Sequence, residues 1–326
     1  MGVALVRDEP TMEGWFQSNV LSSIGWTLDK VNPLFDLASE YKKCVQQRID
    51  VSSKTRLSAM TLFYEPSTRT RLSFESAAHK LGIRVLTVAD AGASSSASKG
   101  ETLEDMGKLL GSYADVVIIR HPELGAARRL SSTAQVPIIN AGDGAGEHPT
   151  QALVDLFTLR EAFGTLKGLK VGLCGDLLNG RTIHSLLRLL CAFGCEVTAI
   201  SPPELAIPNE VLQRIPNRDA IHAESDLHTV LPSLDVLYMT RIQKERFYDI
   251  DVYERVKHSY RLERKDLEEA SDHLRILHPL PRVDEVAPDV DQDSRALYFI
   301  QSANGVPVRM ALLSAILGLQ NRVHAG

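Results

Sequence analysis

The 326-residue sequence lacks an excess of positive charge. Its 41 acidic residues outnumber its 36 lysines and arginines, for a formal net charge of −5. A broad nucleic-acid footprint needs a basic balance and is not expected; a local basic pocket for an anionic substrate is still allowed. Cysteine is sparse. Cys44, Cys174, Cys191 and Cys195 are the only ones, and none forms a C-x-x-C pair. A zinc site would need His184 or a distant ligand to complete four donors, so buried free thiols in a reducing cytosol are the expectation. No apolar run approaches membrane-spanning length. The opening MGVALVRDEPTMEG carries Asp8, Glu9 and Glu13 and no long apolar region, so it reads neither as a secretory signal nor as a transit peptide. Gly2 lacks the Ser or Thr that myristoylation requires. The expected setting is the cytoplasm, with no membrane and no nucleic acid as partner.

What is present is ordinary for a globular enzyme: 44% hydrophobic and 24% charged residues, and enough chain for about two domains. From Leu57, short apolar runs alternate with helical stretches. Strands are expected at Ala59–Tyr64, Val85–Ala89, Val116–Ile119 and Pro137–Asn140, with helices starting near Thr70, Glu101 and Glu123. A strong helix, Thr150–Phe163, reads as a link. The rhythm then restarts with strands at Leu169–Cys174, Glu196–Ile200, Asp235–Met239 and Arg275–Leu277, a helix at Arg181–Phe193, and a final helix at Val306–Leu319. This predicts an α/β fold of two doubly wound parallel-sheet domains with an active-site cleft between them. Ligands in such sheets bind beyond the carboxyl ends of the strands. Residues before about Leu57 carry little signal, apart from an amphipathic helix across Val31–Ile49.

The first strand end is the most informative. Glu65 and Pro66 stop the strand, Ser67-Thr68-Arg69-Thr70-Arg71 follow, and Phe74, Ala77, Ala78 and Leu81 then mark one helix face up to Gly82. Hydroxyls and an arginine fork therefore sit at a helix N-terminus, which is an anion site by its free N–H groups and dipole. Plain capping would need one hydroxyl only, and two arginines oppose the dipole there. Other strand ends add a Gly/Ser-rich loop with a lone Lys99, whose spacing is not a Walker loop and which by itself reads as a disordered surface loop, then Arg120, then His148 and Gln151 at the start of the linking helix. His148 reads equally well as a ligand donor or as a helix-start residue. In the second half come Arg181 behind Gly172, Gly175 and Gly180, then Arg241 and Gln243, and His278-Pro279-Leu280-Pro281. The glycine spacing is not G-x-G-x-x-G, and no acidic residue follows Ile200 to hold a ribose, so a nicotinamide-dependent dehydrogenase is a weak alternative. A non-catalytic two-lobed anion binder is another; such proteins are usually exported.

Taken in order, Ser67-Thr68-Arg69-Thr70, Lys99-Gly100-Glu101, Arg120-His121-Pro122, His148-Pro149-Thr150-Gln151, Gly180-Arg181-Thr182, Thr240-Arg241-Ile242-Gln243 and His278-Pro279-Leu280-Pro281-Arg282 resemble the aspartate/ornithine carbamoyltransferase family. The likeness runs from about Leu57 to Leu319. It implies transfer of the carbamoyl group of carbamoyl phosphate to an amine, an early step of pyrimidine biosynthesis if the acceptor is L-aspartate. The aspartate branch fits better: two substrate carboxylates call for cations, which Lys99, Arg181 and Arg241 supply, and the ornithine branch usually has Cys where this chain has Pro279. A transcarbamoylase with another acceptor, such as ornithine, is the nearest alternative. The resemblance implies a carbamoyl-phosphate domain at residues 1–149, with a C-terminal helix 303–326 packing back on it, and an aspartate domain at 150–302. It gives phosphate to Ser67, Thr68, Arg69, Thr70 and Arg120, and the reacting carbonyl to Thr70, Arg120 and His148. The carbamoyl amino group falls to Gln151, Pro279 and Leu280 with Pro281 alongside, and aspartate to Lys99, Arg181, Arg241 and Gln243. Ser95 and Lys99 would come from a neighbouring subunit of a homotrimer, and Glu65, Arg181 and Arg246 would latch the domains. No metal or organic cofactor is implied; a regulatory subunit or other pathway enzymes as partners are left open.

Overall fold

The computed structural model describes residues 12, 14–94, 100–215, 217–247 and 249–320. Two all-parallel sheets organise them. The first holds β1 (Ser58–Phe63), β2 (Arg84–Val88), β3 (Val116–His121) and β4 (Ile138–Asp143) in the order β2-β1-β3-β4. The second holds β5 (Lys170–Cys174), β6 (Glu196–Ile200), β7 (Ile221–Glu224), β8 (Val236–Met239) and β9 (Arg275–Leu277) in the order β7-β6-β5-β8-β9. In each sheet the winding reverses beside the first strand, so the switch points lie between β1 and β3 and between β5 and β8. Strands buried on both faces read as continuous apolar runs, as β8 does; the edge strands β2 and β7 are half-exposed.

The linking helix, Pro149–Phe163, joins the two halves. Its Leu153 and Phe157 belong to one hydrophobic cluster that runs from Phe74 and Ala77 through to Leu186 and Leu190. The C-terminal helix, Tyr298–Leu317, packs against helices Leu28–Gln47 and Thr68–Lys80 and against the linking helix. Tyr41 ties it down by donating its hydroxyl to Ser314 Oγ at 2.9 Å. Among the described residues, no helix is long and apolar enough to cross a membrane. All four cysteines are free, three of them buried.

Several elements differ from the sequence expectation. The last helix begins at Tyr298 rather than Val306, with Pro307 inside it. Proline costs an interior hydrogen bond and reads as a helix start; packing on three neighbouring helices offsets that cost here. β7 was not expected, because a four-residue edge strand has too little periodicity to register. Arg120 lies in β3 itself, not after it. The N-terminal segment is also built in: Val20 bridges Ile139, and Glu147 accepts hydrogen bonds from Ser22 Oγ (2.7 Å) and Ser23 N (2.9 Å) while pairing with Arg188 at 3.1 Å.

One glycine sets the geometry of the second sheet's exit. Gly175 has φ +119°, and a Cβ there would lie 2.4 Å from the Thr240 carbonyl oxygen. Only glycine lets the end of β5 press against the end of β8, which brings the Arg181 and Arg241 segments to one wall.

Candidate active site

The carboxyl ends of both sheets open into one cleft of about 740 Å³. Glu65, Ser67, Thr68, Arg69 and Thr70 line it after β1, Arg120 at the end of β3, and His148 and Gln151 at the start of the linking helix. Arg181, Arg241, Gln243 and Arg246 line the opposite wall, and Pro279, Leu280 and Pro281 close it after β9. All site residues expected from the sequence therefore meet in one place except Ser95 and Lys99, which lie outside the described residues.

The turn after β1 is free to bind a ligand. Ser67 occupies the N-cap of helix Thr68–Lys80, yet its side chain makes no capping hydrogen bond. Arg69 is partly buried, which pulls its pKa below the usual value. Thr70 Oγ1 lies 3.5 Å from His148 Nε2, and Thr150 Oγ1 lies 3.4 Å from His148 Nδ1.

Positive charge is concentrated and only partly balanced. Glu65 is the one carboxylate among the described residues of the lining. It stands 3.4 Å from Arg120 Nε, 3.1 Å from Arg181 Nη1 and 3.9 Å from Arg246 Nη2. Arg181 and Arg246 also donate to the Gly144 carbonyl, at 3.0 and 3.2 Å. Two cations from the second sheet thus converge on a carboxylate and a carbonyl of the first. Burial, and then the Arg181 charge, push Arg120 down to about 9. Among the described residues, the buried Nε atoms of Arg120, Arg246 and Arg309 have no hydrogen-bond partner. Buried unpaired donors on cations are costly, and an anionic ligand would relieve the cost.

His148 is held neutral. Burial, then the charges of Arg120, Arg181 and Arg309, take it well below its ordinary value of 6.5. A neutral imidazole can donate one N–H without adding charge. The unfolded chain takes up this proton before the folded one does. The contribution of His148 is therefore fully present above about pH 6.5 and declines as pH falls below it, by at most about 1.4 kcal/mol per pH unit. Urea unfolding between pH 5 and 7 is expected to show a shallower pH slope for His148→Asn than for the unaltered protein; equal slopes would mean that the imidazole titrates normally.

Three residues of this region gave no signal as site residues in the sequence. Gln301 and Arg309 of the C-terminal helix line the cleft, and Asp155 lies behind it, fully buried. The available cue was a lone polar side chain in an otherwise apolar helical run, as with Arg309 in VPVRMALL.

Comparison with known proteins agrees with this geometry. Residues 18–161 match the carbamoyl-P binding domain of aspartate/ornithine carbamoyltransferase, and residues 167–316 match its Asp/Orn binding domain. The chain is 48% identical over 290 residues to the aspartate carbamoyltransferase catalytic subunit of Thermoplasma volcanium, covering 89% of this chain and 95% of that one. It is 52% identical over 260 residues to that of Thermococcus gammatolerans, covering 79% and 84%. Aspartate transcarbamoylase from Trypanosoma cruzi, in complex with carbamoyl phosphate and aspartate, superposes with a TM-score of 0.88 at 36% identity, over 95% of this chain and 100% of that one. The chain belongs to the aspartate/ornithine carbamoyltransferase family.

Proposed function

We infer that the cleft transfers the carbamoyl group of carbamoyl phosphate to the α-amine of L-aspartate, giving N-carbamoyl-L-aspartate and phosphate, an early step of pyrimidine biosynthesis. One observation carries this reading. The hydroxyl and arginine turn of the first sheet, with Arg120 and His148, faces Arg181, Arg241 and Gln243 of the second across a single cleft. In this reading, residues 1–149 with the C-terminal helix bind carbamoyl phosphate, and residues 150–302 bind aspartate. Ser67, Thr68, Arg69 and Thr70 hold the phosphate with help from Arg120. Thr70, Arg120 and His148 donate to the carbonyl oxygen, which gains negative charge as the amine attacks; one such donor is typically worth ~10²–10³ in rate. Gln151 and the carbonyls around Pro279 and Leu280, with Pro281 alongside, hold the carbamoyl amino group. Arg181, Arg241 and Gln243, with Lys99, clamp aspartate.

The N–C bond forms, the C–O bond to phosphate breaks, and the amine loses a proton. Glu65 is committed to three arginines and His148 is held neutral by burial among cations. In this reading, with neither of these two groups placed to take it, the proton leaves with the departing phosphate. Release of phosphate from carbamoyl phosphate is expected to depend on L-aspartate and to yield carbamoyl aspartate by mass spectrometry. Aspartate-independent release would overturn the reading.

The same reading makes the active unit a homotrimer, with Ser95 and Lys99 reaching a neighbour's site, and puts the reaction in the cytoplasm, a reducing setting that suits four free thiols. Subunit sharing has its own test. Arg69→Ala and Lys99→Ala proteins, each inactive alone, are expected to recover part of the activity when their subunits are exchanged. No recovery after verified exchange would show that each chain completes its own site.

A further inference from the structure

Behind Gln151 lies a buried carboxylate that the mechanism above does not use. Asp155 sits one turn further along the linking helix and is fully buried. Its Oδ1 accepts from Gln151 Nε2 at 2.8 Å and from Gln301 Nε2 at 2.7 Å, and its Oδ2 accepts from the Tyr238 hydroxyl at 2.9 Å. No cation hydrogen-bonds to it among the described residues; Arg309 acts on it only at longer range. Burial raises its pKa to about 6 against these hydrogen bonds, and the three donors that converge on its two oxygens hold it as an acceptor.

An ionised carboxylate accepts and cannot donate. Gln151 must therefore turn its NH₂ toward Asp155, which leaves its amide oxygen for the cleft. The same logic runs along a relay. Gln301 gives its NH₂ to Asp155, and its oxygen accepts from His278 N at 2.9 Å. His278 Nδ1 accepts from Leu280 N at 2.8 Å, so the proton is on Nε2, which donates to Glu285 Oε1 at 2.7 Å. Leu280, at φ +53°, thus has its N–H committed and its carbonyl oxygen outside this relay. With its NH₂ committed to Asp155, Gln151 is left with an acceptor for the cleft it lines, and the partner of an acceptor is a ligand NH₂ and not a methyl group.

Resting on the carbamoyl-transfer reading, we propose that Asp155 is the positioning residue that makes the cleft select a carbamoyl over an isosteric acyl group, by fixing the Gln151 amide with its oxygen toward the ligand. Acetyl phosphate carries CH₃ where carbamoyl phosphate carries NH₂ and is otherwise closely matched. Both can be measured as competitors of bound inorganic phosphate, without turnover. The full-length protein is expected to prefer carbamoyl phosphate. In Asp155→Ala the preference is expected to fall about 10- to 100-fold, because the amide loses the partner that orients it, while the affinity for inorganic phosphate is unchanged. Asp155→Asn is expected to rescue most of the preference: its Oδ1 can accept from both glutamines, and its NH₂ can donate to the Tyr238 oxygen. If the alanine variant does not fold, Asp155→Val fills the space with no acceptor at all, and the same loss is expected. A preference kept within about threefold in whichever variant folds would overturn the proposal, as would parallel loss of inorganic phosphate binding. Failure of the unaltered protein to carbamoylate aspartate would instead sink the underlying reading, which the competition assay does not depend on.

Discussion

Replacing Arg120 with alanine is expected to lower kcat about 10³-fold while leaving the protein folded. This guanidinium lies at the end of β3, largely buried, 3.4 Å from Glu65 and with no hydrogen-bond partner on its Nε among the described residues. Its pKa is pushed down to about 9 by burial and by Arg181. The protein thus carries a buried cation whose one carboxylate partner is shared with two other arginines, which is the mark of a charge kept for a ligand. In the proposed mechanism Arg120 meets both the phosphate and the developing oxyanion. A single such donor is worth ~10²–10³ in kcat, and Arg120 belongs at the upper end of that range. Lysine keeps the charge but not the fork, so Arg120→Lys is expected to recover less than about a tenth of the activity. Removing an incompletely paired buried charge should leave the thermal midpoint equal or higher. A large fall in thermal midpoint together with a kcat within tenfold would assign Arg120 to the fold instead.

Glu65→Gln is expected to act differently, by opening the cleft. Glu65 leaves the first sheet at the end of β1, and Arg181 and Arg246 reach it from the second, at 3.1 and 3.9 Å, with Arg120 at 3.4 Å. Neutralising it leaves three guanidiniums facing one another across the two halves. Breaking one side of a largely buried ion pair costs about 3–5 kcal/mol, although Glu65 retains some solvent contact and part of that is screened. The loss should fall on the substrate that needs both walls. The apparent KM for aspartate is expected to rise at least about tenfold and kcat/KM to fall about 10²-fold, with binding of inorganic phosphate changed little. Small-angle scattering with substrates bound should report a larger radius of gyration than for the unaltered protein. An unchanged radius and unchanged KM for aspartate would show that Glu65 does not couple the halves.

Much of this was legible in the sequence, for physical reasons. Strands buried on both faces show as continuous apolar runs, so β1, β3, β5, β8 and β9 were found within a few residues of their ends. Ligands bind at the carboxyl ends of such strands, so the residues following each run located the cleft walls. The Ser67–Arg71 turn was readable because it carries more hydroxyls and arginines than a cap needs, and Ser67 indeed makes no side-chain cap bond.

What stayed hidden depends on contacts between distant segments. Asp155 sits among apolar neighbours and meets Gln301 and Tyr238 only in the folded chain. Val20 joins the first sheet through one isolated bridge, which leaves no periodicity to read. The C-terminal helix hid its first turns because Gly305 and Pro307 look like a boundary, and only packing on three neighbouring helices carries it through them.

The most direct measurement is a competition in one vessel, with labelled carbamoyl phosphate and equal concentrations of L-aspartate and L-ornithine. Because the competing acceptors share one enzyme pool, the product ratio reports the ratio of their kcat/KM values. The cationic wall of Arg181 and Arg241 predicts label in carbamoyl aspartate, with at least about a hundredfold preference over the ornithine product. Label found chiefly in the ornithine product, or in neither, would contradict the account.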